Sequence, residues 1–313
     1  MSEVKLFQGD CLDIMPQLAE QGIKADMVLT DPPYGTLKGI TLKGWDKNTT
    51  KWDEIIPTEE MFSFCEKLLR LKGTLILFSQ EPYTSHLRQF KPYNMAFTYP
   101  LYWYKDHFAN NLSSKKAPVN FVEDLSVYRK KYDLDLDNPL RNYAKELLIQ
   151  LNMSRKDIER VLGHRKAEHF FYIDTSQFLL CTEEVYNELI EKLNIDKLDC
   201  FKPYSELKKI NKKINAVFNL DENSSFKSNV FEYKRAYNGF HPTEKPVPLL
   251  EDLIKTYTNE EDTVLDFTMG SGSTGVACVN TNRNFIGIEL EPKYYEIAEQ
   301  RIKEAKAQRR LIW

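Results

Sequence analysis

The first hundred residues alternate between short apolar runs and longer stretches in which apolar residues recur every three or four positions. This pattern predicts strands at 4–7, 27–29 and 74–79, helices at 12–19, 57–71 and 82–90, and one or two aromatic-rich strands at 95–105. Strands that alternate with helices are typical of βαβ units, which build a largely parallel sheet. We therefore expect an α/β fold for this part of the chain.

The regular pattern stops near residue 106 and returns near residue 237. The stretch between these positions is polar and rich in lysine, and its basic residues lie in clusters. Ser154 and Asp157 form a capping-box pattern that predicts a short helix ending at Gly163, and 164–172 is a candidate second helix. Two helices across a glycine turn suit a helix-turn-helix, although an ordinary helical hairpin has the same pattern.

The C-terminal part returns to alternating strands and helices. Helices are predicted at 249–257 and 292–306, and a strand at 263–266 leads through a glycine-rich turn into a third helix. The next strand, 284–288, is followed by Glu289. A strand, a glycine turn, a helix and a strand with an acid at its end form the arrangement that binds nucleotide cofactors.

Composition limits the classes of function. The chain has 313 residues, 42% hydrophobic and 28% charged, with a net charge of −3, so any contact with nucleic acid requires a local basic patch. The five cysteines lack the spacing of a zinc site or a disulfide framework, so we expect no metal and a reducing compartment. With neither a signal-peptide core nor a membrane-spanning apolar run, the sequence predicts a cytoplasmic protein.

The segment Asp31-Pro32-Pro33-Tyr34 directly follows a predicted buried strand. Its two prolines form a stiff, extended corner with a carboxylate before it and an aromatic ring after it. A planar amine such as the N6 group of adenine is a poor nucleophile, because its lone pair is delocalised into the ring. Asp31 and a carbonyl of the corner would each accept one amine hydrogen and free that lone pair, while the base stacks on Tyr34. The alternative is that these four residues form only a loop, with Asp31 as a cap and the two prolines in a turn.

Asp266 indicates which cofactor the glycine turn holds. A carboxylate at that position repels the pyrophosphate of a dinucleotide, but it suits S-adenosylmethionine, which carries ammonium and sulfonium charges and no phosphate. Glu289 would then bind ribose hydroxyls, and Asp10 is either a helix cap or an acceptor for the cofactor's adenine amine. We expect the proline corner and the glycine turn to meet at one pocket.

Five segments in this order resemble the beta class of amino-group DNA methyltransferases from bacteria and phages. They are Gly9-Asp10-Cys11, Asp31-Pro32-Pro33-Tyr34, His241-Pro242-Thr243-Glu244-Lys245-Pro246, Asp266 through Thr274, and Gly287-Ile288-Glu289. The resemblance covers roughly 4–105 and 237–308. It implies a Rossmann-like methyltransferase sheet with permuted motif order, formed by 1–105 and 237–313, and an inserted, mainly helical target-recognition domain at 106–236.

The resemblance also implies roles for individual residues. The catalytic residues would be Asp31, Pro32, Pro33 and Tyr34. The cofactor-binding residues would be Asp10, Cys11, Asp31, His241, Thr243, Lys245, Asp266, Phe267, Gly270, Gly272, Ser273, Thr274 and Glu289. The candidate DNA-binding residues are Lys115, Lys116, Arg155, Lys156, Arg165, Lys166 and His169. One departure is that Phe267 and Thr268 stand where the family often has proline and then phenylalanine. The helix-turn-helix is not part of the family pattern.

The resulting prediction is a DNA adenine-N6 methyltransferase that uses S-adenosylmethionine and flips its target adenine out of double-stranded DNA. Cytosine-N4 methylation is the nearest alternative, although in this family it more often accompanies serine at position 31. A protein or RNA methyltransferase and a silent DNA-binding protein on the same scaffold are further alternatives. The expected protein is a monomer or homodimer associated with the nucleoid, and a cognate restriction endonuclease is a candidate partner. The sequence does not choose between a restriction-modification enzyme, an orphan regulator and a phage self-protection enzyme.

Overall fold

The computed structural model of the chain describes residues 2–35, 53–108, 114–131, 138–175, 177–221, 224–236, 240 and 244–310. Within these residues, none of the helices is both long enough and apolar enough to span a bilayer. The predicted cofactor residues His241 and Thr243 lie outside the described residues.

One mixed sheet forms the centre of the fold. Its strands are β1 (Val4–Gln8), β2 (Ala25–Thr30), β3 (Leu69–Ser79), β4 (Met95–Tyr104), β5 (Val122–Lys130), β6 (Val230–Glu232), β7 (Thr263–Asp266) and β8 (Asn284–Glu289). They lie in the order β1-β8-β7-β2-β3-β5-β4-β6. Strands β1, β8, β7, β2 and β3 are parallel, whereas β5 runs antiparallel to both β3 and β4. The predicted α/β class is therefore confirmed.

Ten helices occur in the described residues. They are α1 (Cys11–Glu20), α2 (Thr58–Leu68), α3 (Tyr83–Gln89), α4 (Pro139–Leu151), α5 (Arg155–Leu162), α6 (Glu183–Leu193), α7 (Tyr204–Ile214), α8 (Val247–Tyr257), α9 (Ser273–Asn280) and α10 (Pro292–Arg310). Two short 3-10 helices lie at Glu168–Phe171 and Ile195–Lys197.

The sheet is covered by helices on both faces, as its apolar strands predict. Met27 and Leu29 of β2 pack into a core with α8, α9 and α10, whereas Val28 packs on the other face with α1, α2 and α3. All three side chains are fully buried. Successive residues of a strand point to opposite faces, so an uninterrupted apolar run identifies a strand that is buried on both sides.

The connections diverge between β7 and β2. The helix after β7 covers one face and leads to β8, while the helix after β2 covers the other face and leads to β3. In open α/β sheets this switch point leaves a crevice at the carboxyl ends of the strands, where ligands bind. The proline corner follows β2 and the glycine turn follows β7, so both lie at this crevice.

The chain divides into two compact units whose boundaries differ from those expected. The sheet unit contains Met1–Lys130 and Ala216–Trp313, and the helical unit contains Lys131–Asn215. The expected insert, 106–236, was too long at both ends, because β5 and β6 belong to the sheet. Strand β5 pairs with β3 from Ser79↔Asp124 to Thr74↔Arg129, and its apolar residues join both cores. The polar and basic residues that flank this strand interrupt the apolar pattern, so the sequence does not predict it.

The helical unit has its own hydrophobic core. Helices α4 to α7 contribute large buried side chains to it, among them Tyr143, Ile158, Tyr186, Leu189 and Leu207. The predicted capping box of Ser154 and Asp157 is present at the start of α5, and Gly163 ends that helix with φ +81°.

One predicted element is wrong and another is too long. No second helix of a helix-turn-helix follows α5, because only the 3-10 turn Glu168–Phe171 forms, with Phe170 and Phe171 buried in the core. The helix predicted over 57–71 ends at Leu68, since strand β3 begins at Leu69 and pairs there with Ala25. In both places packing against distant residues overrides the local pattern.

Candidate active site

The proline corner places its carboxylate at the end of β2. Asp31 Oδ1 accepts a hydrogen bond from the Tyr34 hydroxyl, and Asp31 Oδ2 forms an ion pair with Lys245 Nζ. The Asp31 side chain keeps 20% of its surface exposed, whereas that of Lys245 keeps 9%. Lys245, which the family resemblance assigns to the cofactor, therefore contacts the predicted catalytic carboxylate directly.

Two further charged residues lie behind this pair. Lys245 Nζ lies 2.9 Å from Glu123 Oε1, and Lys105 Nζ lies 2.6 Å from Glu123 Oε2. The Tyr34 hydroxyl is 3.1 Å from the same Glu123 Oε1. The sequence patterns single out neither Glu123 nor Lys105. They reach the site because β5 runs antiparallel, so that its first residues meet the end of β4 at the catalytic edge, where Trp103 pairs with Glu123.

These charges perturb one another. Burial raises the pKa of Asp31 above its usual range, although the charge of Lys245 opposes this shift. Burial would also raise the pKa of Glu123, but the charges of Lys245 and Lys105 outweigh it and lower that pKa to about 2. Burial would lower the pKa of Lys245, but Asp31 and Glu123 outweigh it and raise that pKa. Glu123 is thus held as a carboxylate and Lys245 as an ammonium group.

The glycine turn follows β7 and has a backbone that only glycine adopts readily. Gly270 and Gly272 have φ values of +52° and +80°. A Cβ atom at Gly272 would stand 2.8 Å from the Cβ of Ala298 in α10, so a larger residue is also excluded by contact. The Gly270 N–H donates to Glu289 Oε2 over 2.8 Å, which connects the turn to the end of β8.

Both carboxylate oxygens of Asp266 accept hydrogen bonds that fix this turn. Its Oδ1 accepts from the Thr30 hydroxyl at 2.8 Å and from the Thr268 N–H at 3.1 Å, and its Oδ2 accepts from the Thr274 hydroxyl at 2.6 Å. The side chain is 3% exposed. The structure thus shows Asp266 bracing the turn, a role that the sequence argument did not assign to it.

The proline corner and the glycine turn meet, as expected. The Thr268 hydroxyl donates to the backbone carbonyl of Asp31 over 3.1 Å and lies 2.7 Å from the Thr30 hydroxyl. Thr268 stands where the family often has phenylalanine, and here its hydroxyl connects the two segments. The position of the cofactor turn is therefore coupled to that of the predicted catalytic carboxylate.

The remaining predicted cofactor residues lie near the same edge with different degrees of access. Asp10 caps α1 by accepting from the Leu12 N–H at 2.8 Å, which is one of its two predicted roles. Cys11 and Glu289 are each 8% exposed. Phe267 is 1% exposed and packs in the core beside α1 and α2, so its side chain has almost no surface available to a ligand.

The candidate DNA-binding residues are divided between the two units. Lys115 and Lys116 are exposed in the sheet unit. The remaining candidates, Arg155, Lys156, Arg165, Lys166 and His169, belong to the helical unit. Arg155 lies 3.5 Å from Glu159 and over the Tyr172 ring, and Arg165 lies 2.5 Å from Glu168. Two of the five are thus already paired with acids of their own unit.

The fold, with the proline corner and the glycine turn meeting at one edge of the sheet, is that of an α/β methyltransferase. The chain belongs to the N6/N4 methyltransferase family of DNA methylases, whose family model matches residues 25–300. It is thus a DNA amino-methyltransferase, as the family resemblance implied, and S-adenosylmethionine is its cofactor.

Individual proteins and solved structures are similar to this chain over most of its length. The type II methyltransferase M2.MboI of Moraxella bovis is 25% identical over 311 residues, which cover 96% of this chain and 87% of that protein. The structure of an M1.HpyAVI–SAM complex is similar with a TM-score of 0.56 and 21% identity, covering 95% of this chain and 99% of that one. The cytosine-N4-specific PvuII DNA methyltransferase is similar with a TM-score of 0.52 and 13% identity, covering 98% and 93%. At these identities the two structures show a shared fold.

The residues present fit this cofactor. The turn has a left-handed backbone at Gly270 and Gly272, a conformation used where a backbone approaches a ligand closely. Asp10 and Glu289, the acids after β1 and at the end of β8, suit a cationic ligand with hydroxyl groups, and the charge of Asp266 behind the turn opposes a pyrophosphate.

We predict that Gly272→Ala lowers both the melting temperature and the affinity for S-adenosylmethionine. The new methyl group would meet Ala298 and would also require a left-handed backbone, which costs about 1–2 kcal/mol by itself. Gly22→Ala is the matched control, since Gly22 has φ +72° and nothing within 4 Å of the added Cβ. Equal losses of stability in the two variants, measured by thermal unfolding, would contradict a close contact at Gly272.

A second prediction concerns pH. Burial raises the pKa of Asp266 from 3.8 to about 6. Between about pH 4 and pH 6, the folded protein therefore keeps a proton on this carboxyl that the unfolded chain has already released. The free energy of unfolding should therefore fall as pH rises from about 4 to about 6, by an amount on the order of 3 kcal/mol from this group. Asp266→Asn should remove this contribution. Thermal unfolding of both proteins at pH 4.5 and 7 tests the prediction, which fails if their pH dependences are the same.

Proposed function

We propose that this protein is a site-specific DNA adenine-N6 methyltransferase that acts on an adenine flipped out of the duplex. The observation that carries the proposal is the placement of Asp31. Its partly exposed carboxylate stands at the carboxyl end of β2, and Thr268 connects its backbone to the cofactor turn. An amine bound at Asp31 would therefore lie close to the methyl donor.

The chemistry follows from the corner. Asp31 accepts one hydrogen of the target amine, and a carbonyl of the rigid Asp31–Pro33 backbone accepts the other. Both hydrogen bonds favour a pyramidal nitrogen, whose lone pair is then directed at the methyl group. Bound S-adenosylmethionine supplies an electrophilic methyl group on a sulfonium centre. The protein's contribution is the alignment of nitrogen and methyl group, together with polarisation of the amine.

Tyr34 provides the stacking surface for the extruded base. Its hydroxyl is fixed by Asp31 and Glu123, and its ring lies 6.1 Å from that of Tyr83. Stacking on such a ring contributes about 1–3 kcal/mol, which offsets part of the few kcal/mol needed to extrude a base. A ring that is fixed before the base arrives loses little side-chain entropy on binding.

Adenine is favoured over cytosine by the carboxylate at position 31, since the family more often has serine there when it methylates cytosine N4. The fold cannot distinguish the two activities, because the cytosine-N4-specific PvuII enzyme shares it. The deciding experiment is to incubate the protein with unmethylated DNA and S-adenosylmethionine and to digest the product to nucleosides. Detection of N6-methyldeoxyadenosine supports the proposal. Detection of N4-methyldeoxycytidine shows the alternative activity, and the absence of both nucleosides favours a silent DNA-binding protein.

We assign target recognition to the helical unit together with the exposed lysines of the sheet unit. Residues 131–215 contain fifteen lysines and arginines and fifteen aspartates and glutamates, so a local set of cations rather than the net charge of the unit must contact phosphates. M2.MboI is named a type II methyltransferase, which supports a cognate restriction endonuclease as a partner in a cytoplasmic restriction-modification system.

Asp31→Ala should abolish methyl transfer while leaving cofactor affinity within about threefold of wild type. The variant loses the acceptor that activates the amine, and misplacement of a reacting group alone costs on the order of 10²-fold in rate. Transfer of a labelled methyl group to DNA and calorimetric titration with S-adenosylmethionine measure the two effects. Asp13→Ala, in the first turn of α1, is the control with an equal loss of charge. Retained transfer by Asp31→Ala would contradict the proposed role.

Salt dependence tests the contact of Lys115 and Lys116 with DNA. Each phosphate that a cation neutralises adds about −0.9 to the slope of log K against log salt concentration. The double variant Lys115→Gln/Lys116→Gln should therefore reduce the magnitude of that slope by about two. Lys5→Gln, which removes an exposed lysine paired with Glu3, should leave it unchanged. An unaltered slope in the double variant would remove these lysines from the DNA interface.

A further inference from the structure

The catalytic corner is the exposed end of a row of four charges of alternating sign. The row runs from Lys105 through Glu123 and Lys245 to Asp31. Side-chain exposure is 3% and 4% at Lys105 and Glu123, 9% at Lys245 and 20% at Asp31. The inner pair has no part in the amine chemistry argued so far, and burying two more charges beside a reactive carboxylate is costly unless they serve it.

Glu123 lies within reach of both groups that hold Asp31. Its Oε1 is 2.9 Å from Lys245 Nζ and 3.1 Å from the Tyr34 hydroxyl, while these same two groups donate to the two oxygens of Asp31. The tyrosine hydroxyl has a single proton, so it donates either to Asp31 or to Glu123. Each donor on Asp31 therefore has a second acceptor available without a large movement.

We propose that Glu123 is a positioning residue that accepts the hydrogen bonds of Lys245 and Tyr34 when the target amine binds to Asp31. The inference rests on the proposed function, because it requires an amine at that carboxylate. Without substrate, both Asp31 oxygens are engaged by donors. With substrate, the transfer of these donors to Glu123 leaves Asp31 a stronger acceptor for the amine hydrogen.

Lys105 fixes the orientation of the Glu123 carboxylate that this role requires. Its ammonium group occupies Glu123 Oε2 at 2.6 Å and leaves Oε1 directed at Lys245 and Tyr34. It also lies 4.9 Å from the centre of the Trp103 ring, which restricts its position. The charges of Lys105 and Lys245 together oppose the effect of burial and keep Glu123 ionised, so that it remains an acceptor.

The row also affects the protonation of Asp31. Among the described residues, the groups that face Asp31 are Lys245, Tyr34, Glu123 and, across the glycine turn, Asp266, while Lys105 and then Arg235 lie behind Glu123. Burial raises the pKa of Asp31, the positive charge of Lys245 lowers it, and the negative charge of Glu123 raises it further. Removing the charge of Glu123 must lower the pKa of Asp31, whereas removing the charge of Lys105 must raise it.

The test uses the full-length protein, a duplex that wild type methylates, and S-adenosylmethionine. Glu123→Gln should reduce the turnover number about 10²-fold while the dissociation constants for cofactor and duplex stay within about threefold. The acid limb of its pH–turnover profile should move to lower pH. In Lys105→Met, Glu123 stays ionised beside Lys245, and the loss of a nearby positive charge should move the acid limb to higher pH. A residue needed only for folding would not produce shifts of opposite sign.

A double variant separates positioning from stability. Lys105→Met/Glu123→Gln removes one charge of each sign and should recover melting temperature relative to Glu123→Gln alone, while turnover stays low. Wild-type turnover and pH profile in Glu123→Gln, or turnover recovered together with melting temperature in the double variant, would overturn the inference. Absence of methyl transfer by the wild type on every duplex tried would instead overturn the proposed function, so the two failures are distinguishable.

Discussion

The site depends on the parallel pairing of β2 with β7. This pairing places the ends of both strands at one edge, and the buried hydroxyl of Thr30 then reaches Asp266 across the gap. Thr268 completes the connection by donating to the carbonyl of Asp31. These neutral and charged hydrogen bonds thus fix the distance between the proline corner and the glycine turn. Since methyl transfer depends on alignment, this distance is the main quantity that the fold must control.

Electrostatics adds a second constraint at the same edge. The partly exposed carboxylate of Asp31 and the buried carboxylate of Glu123 both approach the Tyr34 hydroxyl, and they remain compatible because Lys245 lies between them and Lys105 lies behind Glu123. Buried ions are stable only when they are paired and hydrogen-bonded. The antiparallel strand β5 is what makes the pairing possible, because it brings its first residues, and not its last, to the edge where the parallel strands end.

The sequence predicts the parts of the fold that depend on local pattern. Met27, Val28 and Leu29 are apolar in succession because both faces of β2 are buried, and the glycines of the cofactor turn are visible because their backbone admits little else. Asp31 and Tyr34 contact each other within one predicted motif, whereas the ion pair of Lys245 with Asp31 was not predicted.

The parts that depend on distant contacts could not be predicted in this way. Leu69 belongs equally well to a helical or an extended pattern, and its pairing with Ala25 decides for the strand. Glu123 and Lys105 have no sequence signal, because their proximity to Asp31 follows from strand directions. The bracing role of Asp266 could not be predicted either. An aspartate before a glycine turn has the same sequence whether its carboxylate contacts a ligand or accepts hydrogen bonds from three neighbouring residues.

The separate core of the helical unit has an evolutionary consequence. Residues 131–215 interrupt the sheet unit once, between β5 and β6, and their buried side chains pack among themselves. Insertions, exchanges or drift within this cassette need not alter any residue of the alternating row of charges or of the cofactor turn. Selection can therefore act on residues 131–215 separately from the two stretches of sequence that flank them and form the site.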